Sequence, residues 1–403
     1  MPSLIFRKGL DLKHVVADML AENYHSHIVA AIKENDFTYQ SGRLTLHLAR
    51  EFGFCYGVDR AVDYAYQTRQ RFPDQRVFLT GEIIHNPHVN DKLRAMGVQF
   101  LSDAPGGAAS PTAIDGLTPS DVVILPAFGV TVAMLQQLER RGCTLVDTTC
   151  GSVLNVWKNV RRYTEGGYTS VIHGKVWHEE TQATASQAVG YGGRYLVVFD
   201  DAETEIVCDY IRRGGDRNDF LTKFANAVSP GFDPDRDLAR IGLANQTTML
   251  MSESLAIGDK LKQAMIDRWG AQSIDQHYEA FDTICSATQE RQDAVLALLE
   301  EPLSAMIVIG GFNSSNTISL AALCDERVPT YHIEDASGID PETGTVHFRR
   351  AGIKHVEDTA TNWLPAEGPV RVGLTAGAST PNNKIGETVA RILATRGLVL
   401  QTA

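Results

Sequence analysis

Short runs of consecutive apolar residues alternate with longer amphipathic stretches along most of the chain. A continuous apolar run of about four to eight residues is typical of a strand buried on both faces, whereas apolar positions three and four residues apart are typical of a helix. Strand followed by helix, repeated many times, predicts α/β domains. The predicted strands lie at residues 44–48, 76–80, 121–126, 144–147, 168–173, 194–199, 238–244, 305–309, 329–333 and 371–375.

Polar turns follow the predicted strands, and ligands of such sheets bind beyond the carboxyl ends of the strands. Three of these turns carry a cysteine at the start of a predicted helix, namely Cys55, Cys150 and Cys285. At a helix N-terminus the dipole and the free N–H groups favour the thiolate, which is the form that binds metal. We therefore predict three structural units that each contribute one thiolate to a shared centre.

The spacing of the three cysteines bears on the kind of centre. Zinc sites usually contain closely spaced cysteine pairs, and this sequence has none. Three distant thiolates suit an iron–sulfur cluster with one iron left open, because a full ligand set is four cysteines. The alternative for each cysteine is an ordinary core position, and this is our interpretation of Cys143, Cys208 and Cys324.

Hydroxyl and amide side chains form a second group at the strand ends. Helix N-termini offer free N–H groups and a positive dipole end to anions, so these turns are suited to a diphosphate. The alternative is that each side chain only caps its helix. The candidate residues are Thr247, Thr248, Ser314, Ser315, Asn316 and Ser379.

Three titratable residues lie in similar turns. His85 and His178 could carry charge or protons near neutral pH, and Glu180 follows His178 closely and could donate protons beside a cluster. Taken alone, each histidine is better explained as a structural residue, and the glutamate as a solvated residue of a first helical turn.

Composition narrows the functional classes. The chain has 403 residues, of which 43% are hydrophobic, and a formal net charge of −12. This acidic balance, without a long basic run, argues against a nucleic-acid partner. We find neither an apolar run long enough for a membrane span nor the apolar core of a secretory signal. Six cysteines in a chain of this length do not resemble a disulfide framework, so we expect a cytoplasmic protein.

The alternation divides the chain into four predicted parts. Residues 1–43 are an N-terminal extension with a helix over about 12–35, and residues 44–148 form an α/β domain with Cys55. Residues 149–283 form a second domain with Cys150, and residues 284–403 form a third with Cys285. Within the second domain, residues 214–237 are polar, contain glycine and proline, and indicate a surface insertion.

Eight motifs at these positions resemble the 4-hydroxy-3-methylbut-2-enyl diphosphate reductases, the last enzymes of the non-mevalonate isoprenoid pathway. They occur in the family's order over about residues 45–390, and together they are highly specific. The motifs are GFCYGVDRA, EIIHN, VDTTC, HEET, NQTT, CSATQERQ, GGFNSSN and LTAGAST.

The resemblance implies three α/β domains in a pseudo-threefold trefoil around one [4Fe-4S] cluster. Cys55, Cys150 and Cys285 match the family's three ligands, and the open iron would bind the substrate's hydroxyl. That hydroxyl is removed with two electrons and protons, which yields isopentenyl and dimethylallyl diphosphates. Glu180 matches the acid that relays protons, and Thr247 matches a threonine hydrogen-bonded in that relay.

The resemblance also assigns the anion-binding group. His85, His178, Ser314, Asn316 and Ser379 match positions that contact the diphosphate. Thr248 and Ser315 stand beside matched positions in the same motifs, so we include them among the substrate-binding candidates.

Several features depart from the common family pattern. Phe128 stands where many members have a histidine, which leaves one expected diphosphate contact missing or replaced. The loop at His178 continues with Glu179, where many members have proline. The extension and the 214–237 insertion resemble the cyanobacterial and plant branch, whose electrons usually come from ferredoxin, with flavodoxin as the other candidate donor.

The residue pattern, taken without the family resemblance, also allows other functional classes. A redox-neutral iron–sulfur hydro-lyase would also place an open iron on a hydroxyl, but it would need no external electrons. A cluster-bearing sensor would need a partner surface, usually basic for nucleic acid, which the acidic balance disfavours. A zinc-binding structural protein fits least, because close cysteine pairs are absent from the sequence.

Overall fold

The computed structural model describes residues 4–102, 111–281, 283–351 and 356–400, and it is a mixed α/β protein. This confirms the predicted fold class. The strands are β1 Ile5–Phe6, β2 Thr38–Ser41, β3 Leu44–Leu48, β4 Val77–Leu79, β5 Val98–Phe100, β6 Val122–Leu125, β7 Thr144–Asp147, β8 Thr169–His173, β9 Tyr195–Val198, β10 Ile241–Asn245, β11 Tyr278–Ala280, β12 Ala305–Ile309, β13 Thr330–Ile333, β14 Ile339–Asp340, β15 Thr345–Arg349, β16 Glu357–Thr361 and β17 Val370–Ala376.

Helices follow most strands, as the alternating pattern predicts. None of the described helices combines the length and the apolar character needed to cross a lipid bilayer. The helices are α1 Lys13–Tyr24, α2 His27–Glu34, α3 Tyr56–Arg71, α4 Pro87–Ala95, α5 Pro111–Asp115, α6 Val132–Arg141, α7 Gly151–Glu165, α8 Glu179–Gly190, α9 Asp201–Arg213, α10 Arg217–Lys223, α11 Pro234–Asp237, α12 Met251–Trp269, α13 Ile274–His277, α14 Ser286–Leu298, α15 Ser315–Asp325 and α16 Asn382–Ala394.

The chain forms two compact units. The first unit comprises Met1–Lys8, Asp74–Gly81 and Gln99–Cys285. It contains two sheets, with strand orders β1-β7-β6-β4-β5 and β11-β10-β8-β9. In the second of these sheets all pairs are parallel, so the carboxyl ends of β8, β10 and β11 lie along one edge. The strands of both sheets are largely buried, in keeping with their continuous apolar sequences.

The second unit comprises Gly9–Pro73, Glu82–Val98 and Ser286–Ala403. Its sheet has the order β14-β15-β13-β12-β17-β3-β2, with β16 paired to β15. The four strands β13, β12, β17 and β3 are parallel neighbours. The strand that leads to Cys55 therefore pairs with β17 near the end of the chain, in the register Leu44↔Val370 to Leu48↔Leu374. The limits predicted for the three α/β domains, after residues 43, 148 and 283, remain a prediction.

The N-terminal extension takes part in both units. β1 pairs in parallel with β7 of the first unit, with Ile5 opposite Leu145. The single helix predicted over 12–35 is wrong in detail, since it is broken into α1 and α2 where Ser26 accepts a hydrogen bond from the Val29 N–H as an N-cap.

The end of α1 packs close to the Cys55 turn within the second unit. The ring of Tyr24 lies 5.6 Å from that of Phe54, centroid to centroid, and the Tyr66 hydroxyl on α3 donates to the Tyr24 hydroxyl at 3.0 Å. Both tyrosines are buried, and burial raises the pKa of each. The extension thus fixes the residue that precedes the cysteine.

The interpretation of residues 214–237 as a surface insertion is wrong in part. The segment contains α10 and α11, each begun by an aspartate N-cap, Asp216 and Asp233. Phe220, Phe224 and Phe232 are buried in the hydrophobic core with Leu196 and Leu238. The spacing of four residues between the first two phenylalanines is the helical signal that the polar composition obscured.

Candidate functional site

The three predicted cysteines occupy equivalent local positions. Cys55 is the N-cap of α3, where its Sγ accepts from the Val58 N–H at 3.4 Å, and Cys150 is the N-cap of α7. Cys285 directly precedes α14. All three are partly exposed. The sequence pattern therefore predicted correctly that each thiol stands at a helix start.

The backbone N–H of each of these cysteines donates to a carbonyl in a neighbouring turn. Cys55 donates to Ala378 O at 3.1 Å, Cys150 to Ala127 O at 2.9 Å, and Cys285 to Thr247 O at 3.4 Å. In each case the acceptor follows a strand that pairs in parallel with the strand before the cysteine: β17 beside β3, β6 beside β7, and β10 beside β11. One local construction therefore occurs three times.

The other three cysteines are core residues, as predicted. Cys143, Cys208 and Cys324 have no exposed surface. Burial raises the pKa of the Cys208 and Cys324 thiols to about 12. Such thiols remain protonated and are poor metal ligands.

Glu180 lies buried in the first unit and is held by Thr247. The Thr247 N–H donates to Oε1 at 2.6 Å, and its hydroxyl donates to Oε2 at 3.0 Å. Only 2% of Glu180 is exposed, so it is not a solvated residue of a first helical turn. Since the Thr247 carbonyl also accepts from the Cys285 N–H, the carboxyl, the threonine and the cysteine form one connected chain.

Gln246 joins the turns after β8 and β10, and the sequence motif alone did not single it out. Its Oε1 accepts from the Lys175 N–H at 3.0 Å and from the Thr181 hydroxyl at 3.1 Å. Its Nε2 donates to the hydroxyl of Thr248 at 2.7 Å. Thr248 is half-buried and directly follows Thr247 in the chain.

His178 is the N-cap of α8 and is buried. Its Nδ1 accepts from the Glu180 N–H at 3.1 Å, so in the neutral ring the proton is on Nε2. Phe128, the departure from the family pattern, meets the imidazole edge to face, with centroids 5.8 Å apart and planes at 81°. An aromatic contact therefore holds the His178 ring in the place where many family members have a second histidine.

In the second unit, the turns after β12 and β17 bring the remaining hydroxyl and amide candidates together. Ser314 is the N-cap of α15, and the Ser379 hydroxyl lies 3.4 Å from Ser314 Oγ and donates to His85 O at 3.1 Å. Asn316 Oδ1 accepts from the Ala378 N–H at 2.8 Å. Ser315 is the first residue of α15 and is buried.

The side-chain amide of Asn316 has one hydrogen-bond donor that is unpaired within the described part of the chain. Its Nδ2 is buried and finds no hydrogen-bond acceptor among the described residues. An unsatisfied buried donor costs about 1–3 kcal/mol, and an anion bound in the turn would satisfy it. Helix capping alone therefore does not explain this side chain. Because Ala378 also accepts from the Cys55 N–H, the anion-binding candidates are connected to a cysteine here too.

His85 is oriented by two residues that sequence reasoning missed. Its Nδ1 lies 2.9 Å from Glu82 Oε2, and Asn313 Nδ2 donates to the same oxygen at 3.0 Å. Both partners lie in the matched motifs, EIIHN and GGFNSSN, which is the signal that could have identified them. The carboxylate stabilises whichever ring form carries a proton on Nδ1.

A cavity of about 540 Å³ in the second unit lies away from these residues. It is lined by residues at the amino ends of β3 and β17, including Arg43 and Arg371. Since the candidate residues follow the carboxyl ends of the same strands, this cavity is not their site.

Comparison with known proteins gives a consistent result. The family model described as LytB protein matches residues 46–393. Proteins named 4-hydroxy-3-methylbut-2-enyl diphosphate reductase are 48% identical in Cyanothece sp., covering 96% of this chain and 93% of that protein, and 48% identical in Gloeobacter violaceus, covering 98% and 93%.

Two solved structures are similar. One is titled as the structure of (E)-4-hydroxy-3-methyl-but-2-enyl diphosphate reductase, the terminal enzyme of the non-mevalonate pathway; it is 26% identical, with a TM-score of 0.52, and covers 86% of this chain and 98% of its own. The other is the E-1-hydroxy-2-methyl-but-2-enyl-4-diphosphate reductase from Plasmodium falciparum, 21% identical with a TM-score of 0.61, covering 86% and 87%. The second likeness shows the fold alone.

Gly129 lies two residues after Ala127, whose carbonyl accepts from the Cys150 N–H, so a substitution there tests how closely this turn is packed. Its φ is +78°, and a Cβ there would lie 2.5 Å from Trp157, whose Nε1 is held by Thr184 Oγ1 at 3.1 Å. We expect Gly129→Ala to lower the free energy of unfolding by about 2–4 kcal/mol, from backbone strain and overpacking together. Urea titration of the apo-protein measures this loss.

The matched control is Gly192→Ala in the same unit. Gly192 has a φ of +85° but nothing within 4 Å of an added Cβ, so only the strain of about 1–2 kcal/mol applies. Equal losses in the two variants would show that Trp157 moves aside without cost, and that the Gly129 turn is not closely packed.

Proposed function

The chain belongs to the LytB protein family of 4-hydroxy-3-methylbut-2-enyl diphosphate reductases, and on this premise we propose how its residues carry out the reaction. The substrate is (E)-4-hydroxy-3-methylbut-2-enyl diphosphate. Reductive removal of its hydroxyl takes up two electrons and two protons, and it releases water with isopentenyl or dimethylallyl diphosphate. The observation that carries the proposal is the chain Glu180–Thr247–Cys285, which connects a buried acid to a candidate ligand.

Enzymes of this family carry an iron–sulfur cofactor. We assign Cys55, Cys150 and Cys285 as three ligands of one [4Fe-4S] cluster per chain. These thiols are partly exposed at helix starts, whereas the other cysteines are buried in the core. When bound, a cluster with one open iron supplies electrons and a Lewis acid for the substrate's hydroxyl.

Glu180 is the proton carrier in this assignment. Its protonated carboxyl gives a proton to the leaving hydroxyl, which then departs as water. Thr247 holds both carboxyl oxygens, so the acid keeps one orientation through the reaction. Because the carboxyl is buried, bulk water does not compete for this proton.

The diphosphate is held by neutral donors and imidazoles. Each hydrogen bond to a charged oxygen contributes roughly 1.5–3 kcal/mol, so several donors suffice to anchor a small substrate and orient its reacting carbon. The spare Nδ2 of Asn316 supports this assignment. The assigned residues are His85, His178, Thr248, Ser314, Ser315, Asn316 and Ser379.

The electron donor and the compartment follow from the same family assignment. We propose ferredoxin, or flavodoxin in its place, because the similar reductases include several cyanobacterial proteins. A cytoplasmic location agrees with six described cysteines that form no disulfide with one another. Neither a nucleic acid nor a membrane is needed for the proposed reaction.

Anaerobically purified protein tests the function directly. We expect about four irons and four sulfides per chain, a Mössbauer spectrum with one distinct iron that changes on adding the substrate, and turnover only with a strong reductant. Turnover without reductant would replace the reductase with a redox-neutral hydro-lyase. A cluster that neither responds to the substrate nor turns it over would favour a sensor, and zinc without sulfide would indicate a structural metal protein.

Cys150→Ala tests the ligand assignment. We expect the variant to lose its iron and its visible absorption, because two thiolates cannot hold the cluster. The control is Cys143→Ala, which changes a core thiol just before the same strand, β7. That variant should lose stability by about 1 kcal/mol but keep its iron. An intact cluster in Cys150→Ala would remove this residue from the ligand set.

Glu180→Gln tests the proton relay. The amide matches the carboxyl in shape and still accepts from the Thr247 N–H, so cluster content and fold should be retained. We expect turnover to fall by about 10²–10⁴-fold, the usual contribution of a general acid. Glu165→Gln, at the end of α7, changes an exposed carboxyl paired with Arg161 and should leave turnover unchanged. Full activity of Glu180→Gln would exclude the assigned role.

A further inference from the structure

Arg291 on α14 is a buried cation that sequence reasoning did not select. Only 3% of the residue is exposed. Its Nε and Nη2 donate to Gly53 O at 3.2 and 2.6 Å, and its Nη1 donates to Ala287 O at 2.7 Å. These acceptors are backbone carbonyls, and within the described parts of the chain no carboxylate forms an ion pair with it.

A buried guanidinium without an anion is costly, because partial charges on carbonyls replace only part of its hydration. Natural proteins rarely bury arginine unless it is paired. Among the described residues, Arg291 therefore has no negatively charged partner that would offset this cost. This absence sets it apart from Arg76, for example, which pairs with the buried Asp121 at 2.6 Å.

The position of Arg291 indicates where that negative charge belongs. Gly53 lies two residues before Cys55, and α14 begins directly after Cys285. Arg291 thus lies on the helix that follows Cys285 and binds the turn that precedes Cys55.

The Gly53 turn cannot easily move away from the guanidinium. Its φ is +73°, and a Cβ at Gly53 would lie 3.1 Å from both Thr380 O and Asn382 Oδ1. The next fixed point is the Cys55 N–H, which donates to Ala378 O. The guanidinium is therefore fixed to the turn that carries Cys55, two residues before the cysteine.

We propose that Arg291 is the charge partner of the cluster-binding turn and favours the reduced cluster, an inference that rests on the proposed function. A [4Fe-4S]²⁺ core with three thiolates has a net charge of −1, and one electron makes it −2. A fixed positive charge in a buried site stabilises the more negative state, because screening by water is weak there. Arg291 is a positioning residue by this argument, since it acts through the Gly53–Cys55 turn and its electrostatic field.

Two substitutions separate charge from hydrogen bonding. Arg291→Gln keeps a donor for Gly53 O but removes the charge, whereas Arg291→Lys keeps the charge and loses the paired donation to one carbonyl. Arg396→Gln is the control, because Arg396 in the same unit also donates to a backbone carbonyl, Pro365 O at 2.6 Å, but from an exposed position.

The experiment is a redox titration of the anaerobic holoenzymes followed by electron paramagnetic resonance, with iron and sulfide measured on each sample. For Arg291→Gln we expect the ratio of reduced to oxidised cluster at a fixed potential to fall about tenfold, which corresponds to roughly 59 mV for one electron. Arg291→Lys should recover most of this ratio, and Arg396→Gln should match the wild type.

Each outcome decides the proposal. An unchanged ratio in Arg291→Gln, with a wild-type cluster present, overturns the inference and leaves the proposed function standing. Absence of a cluster from the wild type overturns both. If Arg291→Gln holds no cluster, a full cluster in Arg291→Lys supports the role as charge partner. Loss of the cluster from both variants overturns that role and shows that Arg291 holds the Gly53 turn through its hydrogen bonds.

Discussion

The hydrogen bond from each cysteine N–H to the turn of a neighbouring strand is the constraint on which the candidate site depends. A cysteine at the start of a helix can be held only loosely by its own strand, because the chain reverses direction there. Donation to Ala378, Ala127 or Thr247 fixes the thiol against a second turn. Parallel strands make this possible, since their carboxyl ends share one edge of the sheet. The position of each of these cysteines is thereby tied to the sheet and not to the loop.

The same hydrogen bonds connect the assigned ligands to the assigned chemistry. Ala378 lies beside Ser379, Ala127 lies beside Phe128, and Thr247 itself holds Glu180. A shift of one cysteine would therefore disturb Ser379, Phe128 or Glu180 in the next turn. Buried polar groups resist such shifts, because a broken hydrogen bond in a buried network costs about 1–3 kcal/mol. The residues around Glu180, and separately those around His85, are consequently each preorganised.

The sequence was most informative where structure is local. Consecutive apolar residues predicted the strands. The sequences that follow Cys150 and Cys285 showed directly that a helix begins after each of these cysteines. The pairing of β3 with β17 could not be predicted, because no periodicity along the chain encodes which distant strand will pair with β3. Asn313 was missed for the same reason, because it comes from a distant motif that meets His85 only in the fold. Glu82, three residues before His85 in the same motif, is a local partner that the sequence could have indicated. Arg291 was hidden because a charged residue in an amphipathic helix is normally expected at the surface.

Phe128 shows how a lost donor can be offset by orientation. A histidine at this position would offer an N–H to an anion, and phenylalanine offers none. Its ring meets His178 edge to face, and the Glu180 N–H fixes the same imidazole from another side through Nδ1. With both constraints the His178 ring is already oriented, so in its proposed role of binding a diphosphate oxygen it would lose less conformational entropy on binding. An apolar ring also lowers the local dielectric constant, which strengthens each remaining hydrogen bond to the anion. Under the proposed assignment, the phenylalanine would therefore exchange one contact with the anion for a more rigid and more apolar environment around His178.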